Sequence, residues 1–493
     1  MNDRQTDMRC SRARLLRLPL VTALLVGVLP LTVRAERSDD RPNVVILFVD
    51  QLRWSEVGCY GNAVVRTPHL DKLASESCRF TLAFTNFPSC SPARSTLLSG
   101  RYARSNGVYA NQDRESSLAR PTNRDPTLAE TLAAAGYTTA IIGKWHLTPS
   151  PETLGFQTGW TGGSGGPGNG YMQGSWKGVG GRDGDHAYEG YTLEHQSELA
   201  EGFLRKQRDR PFLLYLAPTP PHMPIASLPD RYKKMYEPGQ MPLRPNVWKD
   251  GKLPFDERWF SIYLEAIPSA KLPPDIDLRD LYALYYGQVA GVDDWVGRVL
   301  KTLHDLQLDN NTIVLFSSDH GDLLGSHHLF NKNSHYDESC RVPLIVRWPR
   351  RIKPVVQDRQ IISQVDVMPT LLDLCGVKAP ATVQGTSLAP VLLGRASTVG
   401  ENVAYIETTA NEGVRTTRHV YWCDRRRFDR EHLFDVDEDP YEMNDLVRDP
   451  AQTGVLQDLR ARTKAWRERT PSVQPADEPA PSRPARPASR SST

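Results

Sequence analysis

Six short stretches of this chain carry side chains able to do chemistry: Asp50-Gln51, Cys90 to Arg94, Gly143-Lys144-Trp145-His146, Pro221-His222, Asp319-His320-Gly321-Asp322, and Lys332. Asp50, Gln51 and Asp319 offer hard oxygen donors, which suit Ca2+ or Mg2+ rather than zinc. Arg94, Lys144 and Lys332 are cations. A metal and cations gathered in one pocket would serve an oxyanionic substrate. Pro92 fits the first turn of a helix, so Cys90 falls at a helix N-terminus, where the dipole favours an anion.

Most of these groups follow a run that reads as a buried strand. Asn43 to Val49 is continuous, apolar and β-branched, as expected of a parallel strand covered on both faces. Similar runs recur at 138–142, 212–217, 312–316 and 343–346, with helical patterns at 70–77, 127–135, 191–207, 278–306 and 366–374 between them. The alternation predicts an α/β fold, a large mostly parallel sheet sandwiched by helices. In such a sheet sites form beyond the carboxyl ends of the strands. A lone Asp after a strand is more often a helix cap than a ligand. Four polar strand ends together point to a site.

After about residue 385 the pattern changes to short β-prone pieces at 403–407, 414–416, 419–422 and 432–434, which predict a smaller antiparallel sheet. The expected organisation is a catalytic domain over 36–385, a C-terminal subdomain over 386–469 and a disordered Pro/Ala/Ser/Arg-rich tail over 470–493. Residues 155–190 stand apart, with fourteen glycines in thirty-six positions beside Trp160, Tyr171, Trp176 and Tyr188. They fit either a flexible surface insertion or a loop lining a substrate cleft, where aromatic rings could stack on sugars.

The 493 residues hold 60 basic and 58 acidic side chains, a net charge of +2, which leaves no electrostatic footprint for nucleic acid. Arg9, Arg12, Arg14 and Arg17 precede an apolar run over 18–33, and Val33-Arg34-Ala35 fits a cleavage site. Residues 1–35 therefore read as a signal peptide, and the protein as exported, periplasmic or secreted. The run is shorter than the roughly 20 residues of a membrane span and contains Pro30, so the mature chain is not expected to be membrane-embedded. Of seven cysteines, Cys10 leaves with the leader. The remaining six are scattered and include no C-x-x-C pair, which argues against structural zinc and against a disulfide scaffold.

Cys90-Ser91-Pro92-Ala93-Arg94, with Leu98-Ser99-Gly100-Arg101 behind it, resembles the signature of the formylglycine-dependent (type I) sulfatases of the alkaline-phosphatase-like superfamily. The resemblance runs from residue 42 to about residue 446 and keeps the family's motif order. In that family the cysteine is oxidised to formylglycine, which hydrates to a geminal diol. One hydroxyl attacks sulfur; the other then loses its proton, the hemiacetal collapses and sulfate leaves by C–O cleavage. The resemblance implies that Asp50, Gln51, Asp319, His320 and residue 90 bind the metal, Ca2+ or alternatively Mg2+. It implies that Arg94 holds residue 90, that Lys144 and Lys332 bind sulfate oxygens, and that His146 is the base for collapse. His222, with Lys332, would protonate the leaving alcohol. The partners implied are a sulfated carbohydrate or other sulfate ester and a formylglycine-generating maturation enzyme.

Many family members have Asp in place of Gln51 and Asn in place of His320, while choline-sulfatase-like and phosphonate-monoester-hydrolase-like branches carry the alternatives. A phosphonate monoester or phosphodiester hydrolase of the same fold is therefore a second expectation, and an unmodified sulfated-glycan-binding protein a third. His327, His328 and His335 flank Lys332 and either line the pocket or pack outside it. Asp322 reads as a turn cap and Trp145 as packing.

Overall fold

The computed structural model describes residues 40–111, 125–162, 170–264 and 272–473. The expected signal peptide and residues 474–493 of the expected tail lie outside the described residues, while 470–473 are placed, with Val473 N bonded to Arg104 O at 2.9 Å. Sixteen strands occur among the latter. The first eight are β1 (Asn43–Val49), β2 (Cys78–Phe80), β3 (Ala83–Phe84), β4 (Thr138–Gly143), β5 (Thr158–Gly162), β6 (Gln173–Gly178), β7 (His186–Glu189) and β8 (Phe212–Ala217). Then come β9 (Thr312–Ser318), β10 (Leu344–Arg347), β11 (Val355–Gln357), β12 (Ile362–Ser363), β13 (Ala404–Glu407), β14 (Asn411–Arg415), β15 (His419–Asp424) and β16 (Glu431–Asp435).

Ten strands form one sheet in the order β11-β2-β10-β9-β1-β8-β4-β5-β6-β7. Its centre, β9-β1-β8-β4-β5, is parallel throughout. The central strand β1 is buried along its whole length. Val45, Leu47 and Val49 point into one hydrophobic cluster with Leu281, Tyr285 and Val289 of the helix Leu278–Asp305. Val44, Ile46 and Phe48 point into another with Leu97 and Leu98 of the helix Cys90–Ser99 and Leu371 and Leu372 of Gln364–Leu374. Full burial of each such side chain contributes about 1.5–3 kcal/mol, which is why both faces are covered. Among the described residues no helix is long and apolar enough to cross a membrane.

The register decides where the chemistry goes. Val49 pairs with Ser318, Leu47 with Leu216, and Gly143 with Ala217. Asp50, Asp319 and Lys144 therefore leave the sheet side by side, and a bridge between Asp50 and Pro221 brings the His222 loop to the same edge.

The structure departs from the sequence reading in two places. The 343–346 run becomes β10, which pairs antiparallel with both β9 and β2. Burial on both faces writes the same apolar pattern for either direction. The glycine-rich region forms β5, β6 and β7, which widen the main sheet. Tyr171, Trp176 and Tyr188 there are buried in the core, and Trp160 packs half-buried against it. Residues 163–169 of that region lie outside the described residues.

The C-terminal strands β13-β14-β15-β16 form an antiparallel sheet. The helix Thr453–Arg469 covers it, with Trp466 stacked on Tyr405 at 5.2 Å and edge-on to Tyr102 at 5.3 Å. Cys59, Cys78, Cys90, Cys340, Cys375 and Cys423 are all free of disulfides.

Two glycines test the packing with opposite signs. A Cβ at Gly143, whose φ is +127°, would meet Ala217 O at 2.1 Å. Gly143→Ala should lower the unfolding free energy by about 2 kcal/mol or more. Gly202, in the helix Thr192–Gln207, has nothing within 4 Å. Gly202→Ala should be neutral or stabilising by up to about 1 kcal/mol. Urea denaturation of both variants checks the contrast.

Candidate active site

Cys90 opens a helix that the sequence prepares closely. Ser89 is extended, and Pro92 sits in the first turn, where a missing N–H costs nothing. Asn111 Oδ1 accepts from Ser91 N at 3.1 Å and from the Ser89 hydroxyl at 3.0 Å. Gly100 ends the helix in the left-handed region, and all ten helical residues are buried. The Cys90 sulfur is thereby held at 3.7 Å from Asp50 Oδ1, 3.4 Å from His320 Nε2, 3.4 Å from Lys144 Nζ and 2.9 Å from Lys332 Nζ. Burial raises the Cys90 thiol, but Lys144, Lys332 and His320 together bring it well below the ordinary value.

One turn later, Arg94 donates through Nη2 to Asp50 Oδ2 at 3.0 Å and to Asp319 Oδ2 at 2.9 Å. Its Nη1 reaches Lys144 O at 3.2 Å and Tyr215 OH at 3.4 Å. None of these contacts goes to Cys90 itself. Burial works against the guanidinium charge, yet the surrounding Tyr215, Asp319 and Asp50 hold Arg94 more firmly protonated than usual. Asp50 is raised by burial and by Cys90, and is brought below the usual carboxylate range by Lys144, His222 and Arg94. Lys144 Nζ also contacts Asp50 Oδ2 directly.

Donor atoms of Asp50, Cys90, Asp319 and His320 all lie within 4.8 Å of one another, and all four residues are buried. Ca2+ binds oxygen at about 2.3–2.6 Å, so donors on opposite sides of one ion stand about 5 Å apart. The set fits a divalent cation. The Lys332 ammonium shows the same preference: it touches Cys90 Sγ, His320 Nε2 at 3.0 Å and Gln51 Oε1 at 3.3 Å. His320 Nδ1 lies 2.8 Å from Gly321 O, an N–H donation that leaves Nε2 as the lone-pair donor.

Two histidines complete the site. His146 has its Nδ1 at 3.3 Å from the Ser91 hydroxyl, and burial holds its pKa below the ordinary imidazole value. His222 has its Nδ1 at 2.6 Å from Met223 O, and Tyr171 OH donates to His222 O at 2.7 Å. All ten residues expected from the sequence thus gather at one edge of the sheet.

Other residues there were not legible as functional. Asp322 caps its turn through Leu324 N at 2.9 Å, as read from the sequence, but its second oxygen takes the Gln51 amide at 2.6 Å. Gln364 Nε2 donates to Ser318 O and Asp319 O at 2.9 and 2.8 Å, fixing the end of β9. Only its position at the start of a helix marks it in the sequence. His327 stacks on Tyr336, and His335 is buried against Trp422, its pKa pushed down to about 3 by burial. Trp145 packs edge-on to Phe156. A cavity of about 820 Å³ lined by Leu73, Tyr191 and Trp295 contains none of the ten.

Residues 42–377 match the Sulfatase family model, and residues 325–469 match the model for the C-terminal region of N-sulphoglucosamine sulphohydrolase. An ulvan-active sulfatase of Formosa agariphila is 29% identical, over 87% of this chain and 82% of its own length. An N-acetylglucosamine-6-O-sulfatase of Bacteroides thetaiotaomicron is 28% identical, over 84% and 82%. The solved structure of yidJ from Bacteroides fragilis has a TM-score of 0.74 at 29% identity, covering 89% of this chain and 98% of that one.

Replacing Arg94 by Met leaves Asp50 and Asp319 buried without their shared cation. Urea denaturation of metal-stripped protein should show Arg94→Met less stable by about 3–5 kcal/mol. A loss below about 1 kcal/mol would mean that the pair does not depend on Arg94.

Proposed function

The chain belongs to the sulfatase family, and we propose that it is an exported enzyme hydrolysing sulfate esters carried on carbohydrates. In this reading Cys90 is oxidised to formylglycine by a maturation enzyme, and Asp50, Gln51, Asp319 and His320 hold a divalent cation, Ca2+ by donor type. The observation that carries it is the placement of Cys90 between two lysine ammoniums and a carboxylate–imidazole donor set, which suits an oxyanion and a nucleophile at one point. Carbohydrate is favoured by the relatives named for ulvan and N-acetylglucosamine sulfates.

Formylglycine at position 90, once hydrated, would supply a geminal diol, with one hydroxyl as nucleophile and the other to release inorganic sulfate. A cation held by Asp50, Gln51, Asp319 and His320 would supply positive charge to the reaction. The chain's own residues do the rest. Arg94 keeps Asp50 and Asp319 turned towards the centre. Lys144 and Lys332, at 3.4 and 2.9 Å from the Cys90 sulfur, bind sulfate oxygens and neutralise the charge that grows on them. His146, kept neutral by burial, takes a proton from residue 90. His222 donates its Nδ1 proton to Met223 O, so its Nε2 is the nitrogen that carries a proton to the leaving alcohol.

The reading of an anionic chain as substrate draws on a basic turn that the Lys332 loop touches. Asn333, beside Lys332, donates to Thr409 Oγ1 at 2.7 Å in the turn between β13 and β14. Arg425 N bonds Ala410 O in that turn, which places the exposed Arg426, Arg427 and Arg430 at the same end of the small sheet.

Peptide mass spectrometry of the Cys90 segment from the producing organism should show a mass about 18 Da below that of cysteine, the difference between CH₂SH and CHO. Cys90→Ala should abolish sulfate-ester hydrolysis, and a matched pair of esters should be cleaved in favour of sulfate over phosphate. A preference for phosphate would instead establish the phosphohydrolase expectation. Activity lost to a chelator should return with Ca2+ or Mg2+. An unmodified thiol in a fully active protein would overturn the formylglycine reading.

A further inference from the structure

Gln51 stands where a carboxylate would add charge to the cation site, and an amide is an ambiguous donor. Its oxygen accepts and its NH₂ donates, while the two ends are almost identical in shape. An amide turned the wrong way would aim two N–H groups at a cation. Something must therefore choose the orientation.

We propose that Asp322 is the positioning residue that turns the Gln51 amide oxygen towards the cation. This rests on the cation reading above. Asp322 Oδ2 lies 2.6 Å from Gln51 Nε2, and a carboxylate can only accept, so the NH₂ end must face it. The oxygen then faces inward, where it lies 3.3 Å from Lys332 Nζ.

Neither partner is free to move. Asp322 is 1% exposed, and its Oδ1 accepts from Tyr263 OH at 2.6 Å and Leu324 N at 2.9 Å. Gln51 is fully buried, with φ +64°. Its N donates to Asp319 Oδ1 at 3.0 Å and its O accepts from Tyr285 OH at 2.8 Å. The negative charge missing from position 51 is thus present one hydrogen bond further out. Such outer partners orient and polarise the donor they hold. The pair also explains why an acid of the same shape is unsuitable at position 51: it would set a carboxylate oxygen 2.6 Å from Asp322 with no proton donor between them.

Reciprocal exchange tests the pairing. Gln51→Glu puts two acids face to face, and Asp322→Asn puts two NH₂ groups face to face or turns the amide. The double variant Gln51→Glu/Asp322→Asn restores one donor and one acceptor. The readout is the dissociation constant for Ca2+ by calorimetry, with bound Ca2+ per chain by elemental analysis and the melting temperature of each variant. Each single variant should bind Ca2+ at least about tenfold more weakly than wild type. The double variant should return to within about threefold of wild type, since coupled partners are non-additive.

Unchanged Ca2+ binding by Asp322→Asn, or a double variant as weak as the product of the single losses, would overturn the role of Asp322. A wild-type chain that binds neither Ca2+ nor Mg2+ would overturn the cation reading itself. If Asp322→Asn does not fold, Tyr263→Phe carries the test. It removes the hydroxyl that holds Asp322 and that also accepts from Asn331 N at 2.9 Å, and should weaken Ca2+ binding by at least about threefold; unchanged binding would count against the proposal.

Discussion

Two carboxylates cannot stay charged and adjacent in a protein interior without a cation between them, and the site is organised around that constraint. Arg94 meets it by bridging Asp50 and Asp319 through one nitrogen. Because Arg94 lies one turn beyond Cys90, the same helix that presents the sulfur also fixes the two acids. The acids end adjacent parallel strands, and their spacing comes from the β1–β9 ladder. Helix position and strand register are thus tied together through a single guanidinium.

Much of this was legible in the sequence for a physical reason. Strands buried on both faces must be apolar throughout, and a polar residue immediately after such a run needs a reason to be there. Asp50, Lys144 and Asp319 are of that kind, and the sheet brings them to one edge. Cys90 was legible as a helix N-terminus because Pro92 fits the first turn, and Arg94 through the resemblance of the Cys90–Arg94 stretch to a known signature.

What was not legible depends on contacts between distant segments. Gln51 and Asp322 are separated by 271 positions, and the amide–carboxylate bond leaves no local pattern. The cap at Leu324 explained Asp322 well enough to hide its second oxygen. The direction of β10 is set by its neighbours, not by its composition. In the glycine-rich region, composition suggested adaptable loop, yet close backbone approach was the use made of the glycines: a Cβ at Gly159 would lie 1.9 Å from Ile141 O. Its aromatic rings were then available to fill the core.

The burial of the Cys90 helix has a consequence for the protein's biogenesis. Every residue from Cys90 to Ser99 is enclosed, and Cys90 itself has no exposed surface. A second protein could not grip this segment once the helix has docked. Any enzymatic change at Cys90 therefore belongs to the interval between synthesis and folding, when the chain is still extended. On the formylglycine reading, a copy that folded first would keep its thiol, and the finished population would record the relative rates of folding and oxidation.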